Sequence, residues 1–109
     1  MNAQTTIIRT LNDQLRRDFS LGIALMTPGV AGLGHEAAER IFRTIATFDD
    51  FCHANDPHQE HDFGSFKADG QTIFFKIDYL SKDMSMGSPD PANPAVTTRV
   101  ITIMLSDEY

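Results

Sequence analysis

The fold of this chain is decided by one stretch, FGSFKADGQTIFFKIDY, which runs from Phe63 to Tyr79. It consists of two runs rich in aromatic and β-branched residues on either side of Asp69-Gly70. Asp-Gly between two such runs is typical of a two-residue type I′ turn, because both central residues of that turn need a positive φ. The stretch therefore predicts a β-hairpin of two antiparallel strands.

The two-residue turn also determines which residues of the hairpin face each other. Phe63 is predicted to face Lys76, and continuing the same ladder pairs His61 with Asp78. Directly opposed residues share one face of a sheet with their Cβ atoms about 5 Å apart. We therefore expect a His61–Asp78 pair at the open end of the hairpin. A bulge near Gly64 would break this register, because glycines within strands often mark bulges.

Two amphipathic helices are predicted outside the hairpin. The first runs from a cap at Thr5 or Thr6 to about Asp18, and the second from residues 34–36 to about Phe48. Their apolar residues recur at spacings of three and four, which is the period of a helix that packs one face on a core. The polar face of the first helix, including Asn12 and Arg16, is expected in solvent. The apolar stripes are Ile8, Leu11, Leu15 and Phe19 in the first helix, and Ala38, Ile41, Phe42, Ile45 and Phe48 in the second.

Two further strands complete the predicted sheet. Residues 22–27 form a short apolar run ended by Pro28-Gly29, and residues 98–105 are apolar on both faces, as in a central strand. Residues 80–97 contain three prolines and form a long loop, a feature that is often functional or disordered. The order α-β-α-β-β-β predicts an α+β domain of two layers. Its sheet is mostly antiparallel with about four strands, and both helices pack on one face.

The charge of the chain is unevenly distributed. A length of 109 residues indicates one domain, residues 1–109, with a net charge of −6. Residues 1–48 carry five arginines and four acids, a net +1, whereas residues 49–109 carry four basic and eleven acidic residues, a net −7. An acidic half argues against direct nucleic-acid binding, which needs Lys and Arg. It suits a basic protein partner, or it only keeps the domain soluble.

Cysteine content and hydropathy indicate the compartment. A single cysteine, Cys52, allows no intrachain disulfide and fits a reducing environment. We expect it to be a partly buried thiol rather than a nucleophile. The sequence contains no apolar run of membrane-spanning length and no signal-peptide pattern. A cytoplasmic protein without membrane contact is expected.

The segment from Asn55 to Gly64 holds two of the four histidines and three carboxylates. One interpretation is a general base formed by His61 and Asp78, with His58 and Glu60 nearby. The other is a structural ion pair that closes the hairpin, while Asp56 caps the preceding turn at Pro57. The sequence leaves both interpretations open.

A metal or cofactor site has weaker support. The candidate ligands are His53, His58, His61, Asp62 and Asp78, but neither a His-Glu-x-x-His nor a Cys-x-x-Cys motif is present. The glycine-rich run from Gly29 to Gly34 lacks the spacing of a phosphate-binding loop, so a bent turn is predicted there. We expect neither a bound metal nor a cofactor.

Seven blocks of the sequence together resemble one bacterial family of small proteins of unknown function. They are MTPGV (26–30), FDDF (48–51), NDPH (55–58), EHDFG (60–64), KIDY (76–79), GSPDP (87–91) and TIML (102–105). The resemblance extends from about Leu11 to Tyr109, although Leu80 stands where an aromatic residue is common. It implies a stand-alone cytosolic domain whose relatives lie among genes of plasmids and other mobile elements. It supplies no catalytic residues.

Three functions follow from these features. The first is a non-enzymatic interaction protein whose acidic half and 80–97 loop bind a basic, nucleic-acid-handling protein; the resemblance suggests an inhibitor of host defence. The alternative is a small hydrolase or metal-dependent enzyme that uses the His–Asp cluster. The third is a structural domain that works only as an oligomer, although the sequence does not indicate an oligomeric state.

Overall fold

The structure, a computed structural model, describes residues 2–109 and contains three α-helices and one four-stranded sheet. Short 3-10 turns follow the first helix and precede and follow the last strand. No helix in the described range is long and apolar enough to span a bilayer. The elements are α1 (Ala3–Arg17), β1 (Ile23–Met26), α2 (Pro28–Ala31), α3 (His35–Thr47), β2 (Phe63–Ala68), β3 (Gln71–Leu80) and β4 (Thr98–Leu105).

The sheet has the strand order β1-β4-β3-β2. β2 pairs with β3 and β3 with β4 in antiparallel fashion, whereas β1 pairs with β4 in parallel. The predicted α+β class is therefore confirmed, with two of the three strand pairings antiparallel and the third parallel. β4 lies inside the sheet, as its apolar residues on both faces predicted.

The hairpin has the predicted turn and register. Asp69 and Gly70 have φ values of 51° and 74°, both positive as a type I′ turn requires. Phe63 pairs with Lys76, so the ladder is continuous through Gly64, which pairs with Phe75 without a bulge. The local sequence was sufficient here because the turn alone sets the alignment of the two strands.

The core lies between the helices and one face of the sheet. Its buried residues come from α1, α2, α3, β3 and β4, and they form one cluster. That arrangement follows from the helical stripes and from the alternation of β3. The cluster consists of Leu15, Val30, Ile41, Ile45, Ile73, Phe75, Ile77, Ile101 and Ile103.

Two details of the helices differ from the prediction. α1 begins earlier than predicted, because Asn2 is the N-cap and its side chain accepts a hydrogen bond from the Thr5 amide at 2.7 Å. The turn after β1 contains the short helix α2, with Pro28 in its first turn, where its missing N–H costs no hydrogen bond. α3 ends at Thr47 with Phe48 as its C-cap, which agrees with the predicted end at about Phe48.

Substitution of Gly64 tests this packing, because a Cβ on Gly64 would lie 2.2 Å from the Phe75 ring. We expect Gly64→Ala to lower the free energy of unfolding by about 1–3 kcal/mol, the usual cost of overpacking a core. Chemical denaturation measures this change. Gly87→Ala is the matched control, since its nearest contact would be the Tyr79 carbonyl at 4.0 Å. Equal stability of the two variants would contradict the packing described here.

Candidate functional site

Two long loops leave the same end of the sheet, where β2 begins, β3 ends and β4 begins. Residues 49–62, here called the acidic loop, contain five acids and three histidines but neither lysine nor arginine. They contain no helix or strand. Residues 81–97, here called the proline loop, contain one 3-10 turn, Pro94–Val96. Loops of this length are uncommon in compact domains unless they are functional or disordered.

Asp56 organises the backbone of the acidic loop. Its side chain is buried, and its carboxylate accepts hydrogen bonds from the Glu60 amide at 3.0 Å and the His61 amide at 3.2 Å. Gln59 and His61 have φ values of 59° and 57°, a conformation uncommon for residues other than glycine. Such residues persist where surrounding contacts hold them. The side chain of Asp56, which was expected to cap the turn at Pro57, thus caps the amides of Glu60 and His61 further along the loop.

His61 does not pair with Asp78, so that prediction is wrong. The hairpin ladder continues to the Ile77 amide, which donates to the Asp62 carbonyl at 2.8 Å. At His61 the positive φ turns the chain away from the strand direction. His61 Nδ1 then lies 2.9 Å from Asp13 Oδ1, while Asp78 accepts from Lys76 Nζ at 2.7 Å.

The ring of His61 is also held by an aromatic contact. It stacks on Phe51 with 3.8 Å between ring centroids and an interplanar angle of 4°. Its other nitrogen, Nε2, lies 3.9 Å from Asp56 Oδ2, beyond hydrogen-bonding distance. Clefts of about 220 and 420 Å³ both have Phe51 and His61 in their lining. The stacked pair is therefore a wall common to two clefts.

Arg16 joins α1 to the end of α3 and to His61. Its side chain is 3% exposed, and its Nη1 donates to the Ile45 and Phe48 carbonyls at 2.6 and 2.9 Å. Its Nη2 donates to Asp13 at 2.7 Å, and the same carboxylate oxygen contacts His61. Carbonyls at the C-terminal end of a helix lack intrahelical partners, and a guanidinium there satisfies them.

Asn12 holds the second half of the acidic loop. It is fully buried, and its Nδ2 donates to the Glu60 carbonyl at 3.0 Å and to Tyr79 Oη at 2.8 Å. The Tyr79 hydroxyl in turn donates to the Glu60 carboxylate at 2.8 Å. Asn12 Oδ1 accepts from Arg99 Nε at 2.9 Å. Every polar atom of this amide side chain is therefore used to fix the loop.

Arg99 connects the acidic loop to the proline loop. Besides Asn12, it donates to the Pro91 carbonyl, and its guanidinium lies 5.1 Å from the centroid of the Tyr79 ring. Within the proline loop, Thr97 donates to the Asp90 carbonyl at 2.9 Å. One polar network, here called the loop network, thus joins both loops to α1. Its members are Asn12, Asp13, Arg16, Asp56, Glu60, His61, Tyr79 and Arg99.

The loop network shifts the pKa of several groups. Burial raises the pKa of Asp13, but the hydrogen bonds and charges of Arg16 and His61 outweigh it, so this pKa lies below its ordinary value. Burial, together with the nearby charge of Glu60, raises the pKa of Asp62. Burial and the hydrogen bond to Glu60 raise the pKa of Tyr79, so its hydroxyl remains a donor at neutral pH.

The remaining candidate residues are dispersed. His58 and His53 are exposed, and Glu60 is half-buried in the loop network. Cys52 is exposed rather than partly buried as predicted. Within residues 2–109, no group of three or more His, Cys, Asp or Glu side chains is arranged to hold a metal ion.

Sequence reasoning missed the α1 residues of the network. Asn12 and Arg16 were assigned to a solvated face, yet both are buried. Their spacing of four residues is a signal that they share one face of the helix. It does not reveal burial, because polar residues are buried only where partners from elsewhere in the chain satisfy them.

Fold and site together define a small α+β domain with two ordered polar loops at one end of a mixed sheet. The chain belongs to the family described as "Protein of unknown function (DUF3768)", whose model matches residues 26–108. That match includes both loops, whereas α1 lies outside it. Neither the comparison with curated proteins nor that with solved structures gave a match.

The lowered pKa of Asp13 predicts a pH-dependent effect of Asp13→Asn. The ionised carboxylate stabilises the fold above the ordinary pKa of 3.8, and this contribution is lost as the pH falls through the lower folded-state pKa. We expect the variant to lose roughly 1–3 kcal/mol at pH 7, as hydrogen bonds to charged groups do. The difference from wild type should shrink below pH 3.8.

Urea denaturation between pH 7 and pH 3 measures this difference. Asp50→Asn is the control, because Asp50 is an exposed aspartate of the acidic loop. A constant difference between Asp13→Asn and wild type across this range would show that the Asp13 charge does not stabilise the fold.

Proposed function

We propose that this protein is a protein-binding domain whose acidic loop engages a basic surface of its partner. The observation that carries the proposal is the order of a fourteen-residue segment without helix or strand, held by the buried side chains of Asn12, Arg16 and Asp56. Burying polar groups costs free energy unless each is hydrogen-bonded. A network that holds one irregular loop in one conformation is well suited to recognition.

Preorganisation supports binding for an energetic reason. A loop that orders only on association loses conformational entropy at that step, and this loss weakens affinity. Here the Glu60 and His61 amides already bond to Asp56, and the Glu60 carbonyl already accepts from Asn12. The exposed side chains of the loop are therefore presented on a fixed backbone.

The charge of the acidic loop selects the class of partner. Its fourteen residues include five acids and neither lysine nor arginine. Asp49 and Asp50 are exposed at its start, where α3 has just ended. A compact negative surface raises the association rate of a positively charged partner and disfavours other acidic proteins. A nucleic-acid-binding protein carries the required basic surface.

The resemblance to proteins of mobile elements suggests the biological context of this binding. A basic, nucleic-acid-handling component of a host defence system is the partner that this setting favours, and the protein would act as its inhibitor. The proline loop contributes to the same surface, since Arg99 bonds to both Asn12 and the Pro91 carbonyl. Met84 and Met86 are exposed on that loop, and exposed methionines adapt to varied contacts.

The charge of the loop is tested by Asp49→Asn combined with Asp50→Asn. We expect this double variant to lower the association rate with the captured partner about three- to tenfold at low salt, because electrostatic attraction accelerates encounter. The partner is recovered from source cells on immobilised wild-type protein, and rates are then measured by surface plasmon resonance. High salt should reduce the difference between variant and wild type.

The control for this experiment is Glu36→Gln combined with Asp107→Asn. Both residues are exposed outside the acidic loop, and the change in net charge is the same. Equal rates for the two double variants would refute a specific role of the loop. Comparison with Asp56→Asn, which loses the same charge but keeps an oxygen acceptor, separates order from charge for Asp56→Ala, because the alanine variant also removes the acceptor of two loop amides. The alanine variant should weaken binding while leaving Asp49 and Asp50 in place.

A second candidate function is metal-free acid–base catalysis by His61. The observation in its favour is the Asp13–His61 contact of 2.9 Å beside two clefts, because a carboxylate on Nδ1 orients an imidazole whose Nε2 can accept a proton. The alternative with a metal needs at least three ligands. The clefts are small, and Nε2 lies 3.9 Å from the Asp56 carboxylate.

Hydrolysis of p-nitrophenyl acetate tests this candidate. His61→Gln should abolish any rate above buffer, whereas His58→Gln, at an exposed histidine of the same loop, should retain it. A wild-type rate equal to that of His61→Gln rules out general-base catalysis of ester hydrolysis by His61.

A further inference from the structure

A cleft of about 260 Å³ between α1 and α3 contains three arginines. Its lining residues include no acid, although the chain as a whole has a net charge of −6. We call it the arginine cleft. It is lined by Arg16, Arg17, Phe19, Phe42, Arg43 and Ala46.

Two of these arginines are available to a ligand. Arg17 and Arg43 are exposed, and neither guanidinium group forms an ion pair or a hydrogen bond with another of residues 2–109. Arg40, one turn before Arg43 on α3, is by contrast paired with Asp69 at 2.9 Å. The acid next to Arg17 in the sequence, Asp18, accepts hydrogen bonds from the amide and hydroxyl of Ser20.

The third arginine forms a buried wall of the cleft. Arg16 Nε is buried, and no acceptor for it exists within the described part of the chain. Buried donors without an acceptor are rare in native proteins, and each needs an explanation. The Ile45 and Phe48 carbonyls, which would repel an anion near the end of α3, already accept from Arg16 Nη1.

Two phenylalanines also line the cleft. Phe19 and Phe42 pack edge to face, with ring centroids 5.4 Å apart and an interplanar angle of 83°. This arrangement offers an apolar surface beside the guanidinium groups. A planar ring is the ligand body that packs best against such a pair. Cation and ring together indicate a ligand with one anionic and one apolar end.

We propose that the arginine cleft binds a small organic anion, a carboxylate or phosphate attached to a planar apolar ring. The anionic group lies between Arg17 and Arg43, because guanidinium groups bind planar oxyanions with paired hydrogen bonds. The ring packs on Phe19 and Phe42. The cleft is close to the lower size limit of known small-molecule sites, which suits a single ring. None of its lining residues belongs to the acidic loop, and Arg16, Arg17 and Ala46 also line the neighbouring cleft of about 420 Å³, which contains Asp49.

Titration of the full chain with defined probes tests this site. Phenyl phosphate and benzoate carry both features, inorganic phosphate lacks the ring, and benzyl alcohol lacks the charge. We expect phenyl phosphate or benzoate to shift the amide resonances of residues 16–19 and 42–46 saturably. Inorganic phosphate and benzyl alcohol should each bind at least about tenfold more weakly than phenyl phosphate, because each makes only half of the contacts. Equal affinity for benzyl alcohol would overturn the proposal.

Matched variants assign the binding to the cleft. Arg17→Gln with Arg43→Gln should weaken phenyl phosphate about tenfold or more, since two charge-assisted contacts are lost. Lys67→Gln with Lys82→Gln removes the same charge at exposed sites outside the cleft and should leave affinity unchanged. Ala46→Met keeps all three arginines but fills the cleft, and should also weaken binding. Two results would refute the site: binding of phenyl phosphate that does not saturate, or equal affinity of the two double variants for it.

Discussion

The buried guanidinium of Arg16 is the contact on which the arrangement of the other elements depends. It satisfies two carbonyls where α3 ends, and it holds the Asp13 carboxylate that contacts His61. Without that side chain, two acceptors and one carboxylate would lose their donor in a low-dielectric interior, where unpaired groups are costly. The acidic loop, the end of α3 and the C-terminal end of α1 are therefore positioned together.

Arg16 also lies between two surfaces of opposite charge. The arginine cleft is on one side of it, and the acidic loop begins on the other, beyond Phe48. The basic and acidic parts of the sequence therefore lie on different parts of the surface, because α1 and α3 supply the arginines and the loop supplies the acids. The two clefts are adjacent, because Arg16, Arg17 and Ala46 line both of them.

The features that depend on neighbouring residues were the predictable ones. The hairpin, its turn and its register follow from Asp69-Gly70, and the helical stripes follow from the spacing of apolar residues. The parallel pairing of β1 with β4 and the extra helix α2 did not follow, since no local signal determines which distant strand an apolar run joins. The register of the hairpin itself was correct, yet it gave the wrong partner for His61.

That failure has a physical cause. Extending a strand ladder assumes extended backbone, and the capture of two amides by Asp56 ends the extended conformation at His61. The partner it then meets, Asp13, lies on a helix 48 residues earlier in the chain. Asn12 and Arg16 escaped detection for the same reason, because the groups that make their burial tolerable come from α3, from β3 and β4, and from the acidic loop.

The position of β4 has a consequence for the order of folding. It occupies the interior of the sheet, yet it is the last strand in chain order, and it pairs in parallel with β1, the first. Ile23 meets Val100 across most of the chain length, and such distant contacts slow folding because a long loop must close first. During synthesis β1 and the hairpin therefore cannot join into one sheet until β4 has been made. Until then the edge of β3 that pairs with β4 remains open, and a chaperone or an intermolecular strand can reach it.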